Sequence, residues 1–68
     1  MSAADAAIAQ GNRIREAIEE LDRTNDFLDD VNERIADMIL TIERTSRVSD
    51  KQQSALDNWE AAVNKFRR

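Results

Sequence analysis

The carboxylates of Asp and Glu are the only abundant side chains in this protein that could take part in catalysis or metal binding. The 68 residues include 14 Asp and Glu but no His, Cys or Tyr, which are the usual general bases, thiol nucleophiles and phenolic acids. The single Gly also leaves no Gly-rich turn to hold a phosphate. We therefore expect no enzyme activity, no catalytic residue and no cofactor.

Two pairs of carboxylates have a spacing that would let them share a hard cation. Asp26 with Asp30, and Glu33 with Asp37, lie four residues apart, which places each pair on one side of a helix. Both pairs are expected to face away from the apolar positions of that helix, where water competes with the carboxylates for the ion. The sequence therefore predicts no metal site.

The acidic residues are concentrated in the middle of the chain. Residues 16–37 carry nine acidic and two basic side chains, a net charge of −7, whereas the whole chain has a net charge of −4. Leu40 follows on the same predicted helix side as most of these acids. On one continuous helix, seven of the acids fall within about 100° of one another, opposite the apolar residues: Glu19, Asp22, Asp26, Asp29, Asp30, Glu33 and Asp37.

This acidic face has two interpretations. Any amphipathic helix has a solvated charged side, and single exposed apolar residues such as Leu40 are common. However, a face that only keeps a helix soluble usually mixes in Lys, which stabilises the helix by ~0.2–0.5 kcal/mol per pair. The alternative is a contact surface for a basic protein partner, because an acidic chain binds nucleic-acid phosphates poorly. The predicted partner-binding residues are Glu19, Asp26, Asp29, Asp30, Glu33, Asp37 and Leu40.

The elements that carry this face are predicted to be helices throughout. The chain has no Pro and one Gly, so only an all-α fold fits. We expect one helical domain over residues 1–68, with a helix from about 3 to 45, a turn at 46–49 and a helix from about 50 to 67. Ser49 and Gln52 have the spacing of a capping box, which marks the start of the last helix.

Apolar residues at helical spacing predict the core. Val31, Ile35, Met38, Ile39 and Ile42 recur every three or four residues and form one apolar stripe. In the last helix, Trp59 and Phe66 belong to a similar stripe, and we expect both to pack against the first. The small residues near the N-terminus either allow a neighbouring helix to approach closely or only reflect helix propensity: Ala4, Ala7 and Gly11.

The segment Arg23-Thr24-Asn25-Asp26 is the weakest helical stretch before residue 45, and it allows two architectures. If Asn25 takes a left-handed conformation and Asp26 caps a new helix, the chain is a compact three-helix bundle. If the helix continues, the chain is a helical hairpin with a long first arm. We favour the hairpin, because a seven-residue repeat keeps its phase across the segment: Ile14, Leu21, Leu28, Ile35 and Ile42.

The hairpin predicts self-association into a coiled-coil bundle. Its first helix would be about 64 Å long and its second about 27 Å, so the short arm cannot cover the long one. A two-fold dimer is the simplest way to cover the remaining apolar residues, which are Ile14, Ile18, Leu21 and Leu28. A structural subunit that acts only through such helix contacts is the alternative to a protein-binding function. The three-helix bundle requires no partner.

The segment Val48-Ser49-Asp50-Lys51-Gln52-Gln53, followed by Ala55-Leu56-Asp57-Asn58, resembles a short helical segment of small accessory proteins of bacteriophages. The resemblance covers about a sixth of the chain and carries no functional residues. It implies a phage or prophage product, a class that includes inhibitors of host nucleic-acid machinery. We also expect a cytoplasmic protein with no membrane contact, because no secretory signal and no apolar run of ~20 residues is visible.

Overall fold

The computed structural model describes residues 2–21 and 25–67. These residues form three α-helices and no strand: α1 (Ala3–Glu20), α2 (Asp26–Thr45) and α3 (Asp50–Phe66). The all-α prediction is confirmed. The helices pack side by side, and α1 contacts both other helices more extensively than α2 and α3 contact each other. None of the helices in the described residues is long and apolar enough to cross a membrane.

The turn between α2 and α3 lies where the sequence predicted it. Ser46 ends α2 in a left-handed conformation, with φ of 55°, and its N–H donates to the carbonyl of Ile42 at 2.8 Å. Ser49 Oγ then accepts a hydrogen bond from the Gln52 N–H at 3.1 Å, and Gln52 Oε1 accepts one from the Ser49 N–H at 2.8 Å. These two bonds complete the capping box and fix the first turn of α3.

The helix is interrupted between α1 and α2, so the predicted continuous helix from 3 to 45 is wrong and the three-helix alternative is correct. Leu21 and Asn25 are both extended, with ψ of 168° and 114°. Asn25 is itself the N-cap of α2, because its Oδ1 accepts hydrogen bonds from the N–H groups of Phe27 and Leu28 at 2.9 and 3.3 Å. The three-helix alternative had assumed a left-handed Asn25, whereas this residue is extended. Arg23 and Thr24 lie outside the described residues.

Burial of apolar side chains explains why the helix is interrupted between α1 and α2. Ile14, Ile18 and Leu28 are each only 2% exposed, because α1 folds back onto α2 and α3. Burying one such side chain stabilises the fold by about 1.5–3 kcal/mol, whereas the helix propensities of ordinary residues differ by at most ~0.7 kcal/mol per residue. Leu21 is half-buried against the same core. All four residues predicted for self-association therefore already contact their own chain, which removes the reason for expecting a dimer through them.

The predicted core is largely confirmed. Val31, Ile35 and Ile42 are buried on α2, whereas Met38 and Trp59 are half-buried and pack against the core. Phe66 is the exception. It is the last residue of α3 and stacks on Phe27, the second residue of α2, with ring centroids 6.0 Å apart. Both rings lie at the end of the bundle, so Phe66 is 44% exposed rather than buried.

Gly11 lies in close contact with side chains of α2. A Cβ atom on this residue would lie 2.9 Å from Cδ1 of Ile39 and 3.2 Å from Cγ2 of Ile35. Ala4 and Ala7 are buried on the same helix. The small residues of α1 therefore serve close packing, which decides between the two interpretations of that stripe.

A polar network joins α1 to α3. Gln10 is buried, and its Nε2 donates to Asp57 Oδ1 at 2.8 Å and to Glu60 Oε1 at 3.0 Å. Its Oε1 accepts a hydrogen bond from Gln53 Nε2 at 2.7 Å. Because both ends of the Gln10 amide have partners, its burial carries no penalty for an unsatisfied group. The apolar pattern of the sequence did not predict this network.

Candidate protein-binding surface

The side of α2 opposite the core carries a row of exposed carboxylates. Asp26, Asp29, Glu33 and Asp37 follow one another at intervals of three and four residues, which places them in one line along the helix. Leu40 continues the line and is 58% exposed. These five residues define the outer row. Its position follows from the apolar stripe of α2, because burial of that stripe turns the opposite side to water.

The charges of the outer row are not compensated within the described part of the chain, where no cation or side-chain donor pairs with its four carboxylates. Asp30 differs, because it accepts a hydrogen bond from Arg34 Nε at 2.8 Å. This hydrogen bond, together with the charge of the carboxylate, raises the pKa of Arg34 above its ordinary value. Asp30 therefore lies beside the outer row in an exposed ion pair.

The outer row is a line of negative charges, as is a nucleic-acid strand, but its linear charge density is lower. Asp26 and Asp37 are 11 positions apart, which corresponds to about 16 Å along the helix axis. The four carboxylates are therefore about 5.5 Å apart on average, whereas successive phosphates of one DNA strand are about 3.4 Å apart. The row offers a basic protein surface a line of negative charges that is less dense than a strand of phosphates.

The break between α1 and α2 divides the predicted acidic face. Glu19 is exposed but lies on α1, and Asp22 lies outside the described residues. The single helix on which those two acids aligned with the others does not exist. The remaining predicted partner-binding residues all lie on α2 and are exposed: Asp26, Asp29, Asp30, Glu33, Asp37 and Leu40.

A shallow groove runs between α2 and α3 beside the outer row. It has a volume of about 340 Å³ and is lined by Arg34, Asp37, Met38, Thr41, Gln52 and Trp59. A second hollow shares Thr41 and Gln52 with it and continues towards the α2–α3 turn at Val48. We refer to the first hollow as the α2–α3 groove. Sequence reasoning missed it, because its walls come from two helices that are far apart in the sequence.

All three aromatic residues lie on this side of the bundle. The chain contains one Trp, two Phe and no Tyr. Trp59 lines the α2–α3 groove, and the stacked rings of Phe27 and Phe66 lie at the end of the same two helices. The two Phe residues are 47% and 44% exposed. The surface near the outer row thus combines negative charge with accessible aromatic and thioether groups.

The side chains of this surface are of types that can contact a partner. Carboxylates do so through charge, and aromatic rings and aliphatic side chains through apolar burial. In the described residues, no group of three or more acidic side chains is arranged to hold a metal ion. Comparison with known proteins adds no assignment, because no protein family, curated protein or solved structure matches this chain.

Proposed function

We propose that this protein is a non-catalytic binding module that presents the outer row of α2 to a basic surface on another protein. The observation that supports the proposal most strongly is the row itself. Four exposed carboxylates without partners in the described chain follow one another along α2 and end at the exposed Leu40.

The repulsion within the row favours a binding role over a purely solvated surface. Acidic residues three or four positions apart destabilise a helix by a few tenths of a kcal/mol per pair, and salt screens this effect only partly. A basic partner would convert that repulsion into attraction and would also be steered towards the row over long distances. Leu40 would add apolar burial at the end of the charged contact, as anchor residues do in many interfaces.

The proposed mechanism is occlusion of a nucleic-acid-binding site. Lys and Arg residues that bind phosphates would bind the carboxylates of the outer row, which likewise form a line of negative charges. The occupied site would then exclude nucleic acid without any chemical turnover. The resemblance of the segment that begins at Val48 to accessory proteins of bacteriophages supports a more specific form of the proposal, an inhibitor of phage type.

The test is capture of partners from a bacterial lysate by immobilised protein, with two variants of equal charge change. Glu33→Lys with Asp37→Lys reverses half of the acidic row but leaves both acids of the first turn of α2 in place. Glu16→Lys with Glu43→Lys is the matched control at exposed positions outside the row. Captured proteins are identified by mass spectrometry at about 50 and about 300 mM salt, between which screening increases.

We expect the parent and the control to capture the same nucleic-acid-binding proteins, and the row variant to lose them. Capture should weaken at the higher salt concentration, and added DNA or RNA should release the partner. Equal capture by both variants would contradict the proposed role of the outer row. Capture of its own chain alone would instead favour the structural subunit.

A further inference from the structure

We propose that a second copy of this chain docks on the stacked rings of Phe27 and Phe66 and forms a weak two-fold dimer at that end of the bundle. The inference does not rest on the proposed function. It also concerns a new surface, because the four residues that the sequence predicted for self-association pack within their own chain. The observation that carries it is a pair of exposed rings with opposite charges on its two sides.

The two rings form an apolar surface that the core leaves uncovered. Their centroids are 6.0 Å apart and their planes differ by 25°, so each ring covers one side of the other. Phe27 is nevertheless 47% exposed and Phe66 is 44% exposed. Taking ~200 Å² for one whole side chain, the pair leaves about 180 Å² of aromatic surface open to water. Aromatic residues are enriched in protein interfaces, where a partner removes such surface from water.

The charges beside the rings differ in sign between the two helices. Asp26 immediately precedes Phe27 on α2, and Lys65 immediately precedes Phe66 on α3. Both charged side chains are exposed. Within the part of the chain that the structure describes, neither forms an ion pair. The patch is therefore acidic on its α2 side and basic on its α3 side, with the rings between.

Neighbouring charges at this end of the bundle are already engaged. Asp30, one turn after Phe27, accepts a hydrogen bond from Arg34 at 2.8 Å. Arg67, next to Phe66, has its Nη2 atom 4.0 Å from a carboxylate oxygen of Glu20 on α1. Asp26 and Lys65 are therefore the charges beside the rings that a partner can use.

Two-fold symmetry makes a second copy the matching occupant. A two-fold interface uses the same patch on both subunits, so the patch must be complementary to itself. A rotation that places Phe27 against Phe66 of a second copy also places α2 of each copy against α3 of the other. Asp26 of each copy then faces Lys65 of the other, and four rings meet between two pairs of opposite charges. A partner with a single sign of charge would be repelled by one side of the patch.

The size of the patch predicts a weak dimer. Stable interfaces bury about 800 Å² on each partner, several times the aromatic surface available here. We expect a dissociation constant of roughly 0.1–1 mM. Glu33 lies seven positions beyond Asp26, about 10 Å along α2, so a contact at the end of the bundle leaves the rest of the outer row free.

The test is sedimentation equilibrium from about 20 µM to about 2 mM protein, a range that brackets the expected dissociation constant. Asp26→Lys and Lys65→Glu each place like charges opposite one another in both contacts, so each should weaken the dimer by at least about tenfold. An equimolar mixture of these two variants should dimerise like the parent, because every contact between them again joins opposite charges. Changes within one chain cannot produce this recovery on mixing.

Two further variants complete the comparison, and circular dichroism checks that each variant keeps its helices. Asp5→Lys makes the same charge change in the first turn of α1. Asp5 lines a hollow with Ser46, the residue that ends α2, so it lies at the opposite end of the bundle and its variant should dimerise like the parent. Phe66→Ala removes one of the two rings and should weaken the dimer by at least about tenfold.

Several results would overturn the inference. A parent that stays monomeric at the highest concentration would exclude the dimer and leave the proposal for the outer row intact. A dimer that neither charge reversal weakens would use another surface. If the mixed variants stayed monomeric, Asp26 and Lys65 would not meet across the interface. Masses that grow beyond a dimer would indicate an open assembly instead of a closed two-fold one.

Discussion

Replacing Gly11 by Ala tests the close contact between α1 and α2 on which the three-helix arrangement depends. The new Cβ atom would lie 2.9 Å from Cδ1 of Ile39, a distance that forces one of the two groups to move. Ile39→Val removes that Cδ1 atom while leaving the rest of the side chain. The two substitutions should therefore interact strongly, and a double-mutant cycle measures that interaction.

The magnitudes follow from two opposing effects. Ala has a higher helix propensity than Gly by about 0.8–1 kcal/mol, whereas overpacking a tight contact costs about 1–3 kcal/mol. Gly11→Ala alone should therefore change the free energy of unfolding by between about zero and a loss of 2 kcal/mol, out of about 3–10 kcal/mol for a chain of this length. In the Ile39→Val background the shortest contact is absent, although Cγ1 of residue 39 and Cγ2 of Ile35 remain 3.1 and 3.2 Å away. We expect a coupling free energy of about 1 kcal/mol in favour of the double variant.

The assay is urea denaturation followed by circular dichroism for the parent, both single variants and the double variant. Asn12→Ala provides the matched control, because this exposed position on α1 gains helix propensity without approaching Ile39. Asn12→Ala and Ile39→Val should be additive within about 0.3 kcal/mol. If Gly11→Ala and Ile39→Val were also additive within that error, α1 and α2 would not meet at Gly11 and the described packing would be wrong.

Four other predictions concern single sites. Asn25→Ala should lower the free energy of unfolding by about 1 kcal/mol because it removes the N-cap of α2, whereas Asn25→Asp should retain the cap; urea denaturation compares them. Gln10→Glu places a third carboxylate beside two on α3, so it should lower the free energy of unfolding relative to the parent. Urea denaturation should show a larger decrease at about pH 7 than at about pH 4, because the new carboxyl group is protonated at the lower pH. Trp59→Ala should lower the free energy of unfolding by about 1.5–3 kcal/mol, which is less than for a fully buried Trp, and Phe66→Ala should lower it by under ~1.5 kcal/mol. Equal melting temperatures of the two variants would contradict the described packing. Leu40→Ala should change stability by less than ~0.5 kcal/mol but weaken capture of the partner; unchanged capture would remove Leu40 from the surface.

The sequence by itself determined the features that depend on neighbouring residues. Helical periodicity identified the buried stripe of α2, and with it the opposite side on which the outer row lies. The capping box at Ser49 located the start of α3. Both depend on residues at most four positions apart, and such patterns can be recognised directly in the amino-acid sequence. The ion pair of Arg34 with Asp30 has the same local spacing, although we did not predict it from the sequence.

Only the tertiary structure decided how many helices the chain forms and which residues of different helices contact one another. The seven-residue repeat across Asn25 favoured a continuous helix, but folding back buries Ile14, Ile18 and Leu28 in one chain. The same folding placed Glu19 on a different helix from the acids of the outer row, left Phe66 at the end of the bundle and created the α2–α3 groove. These outcomes depend on contacts between residues far apart in the chain. The apolar area that such contacts bury outweighs the small differences in helix propensity that local sequence expresses.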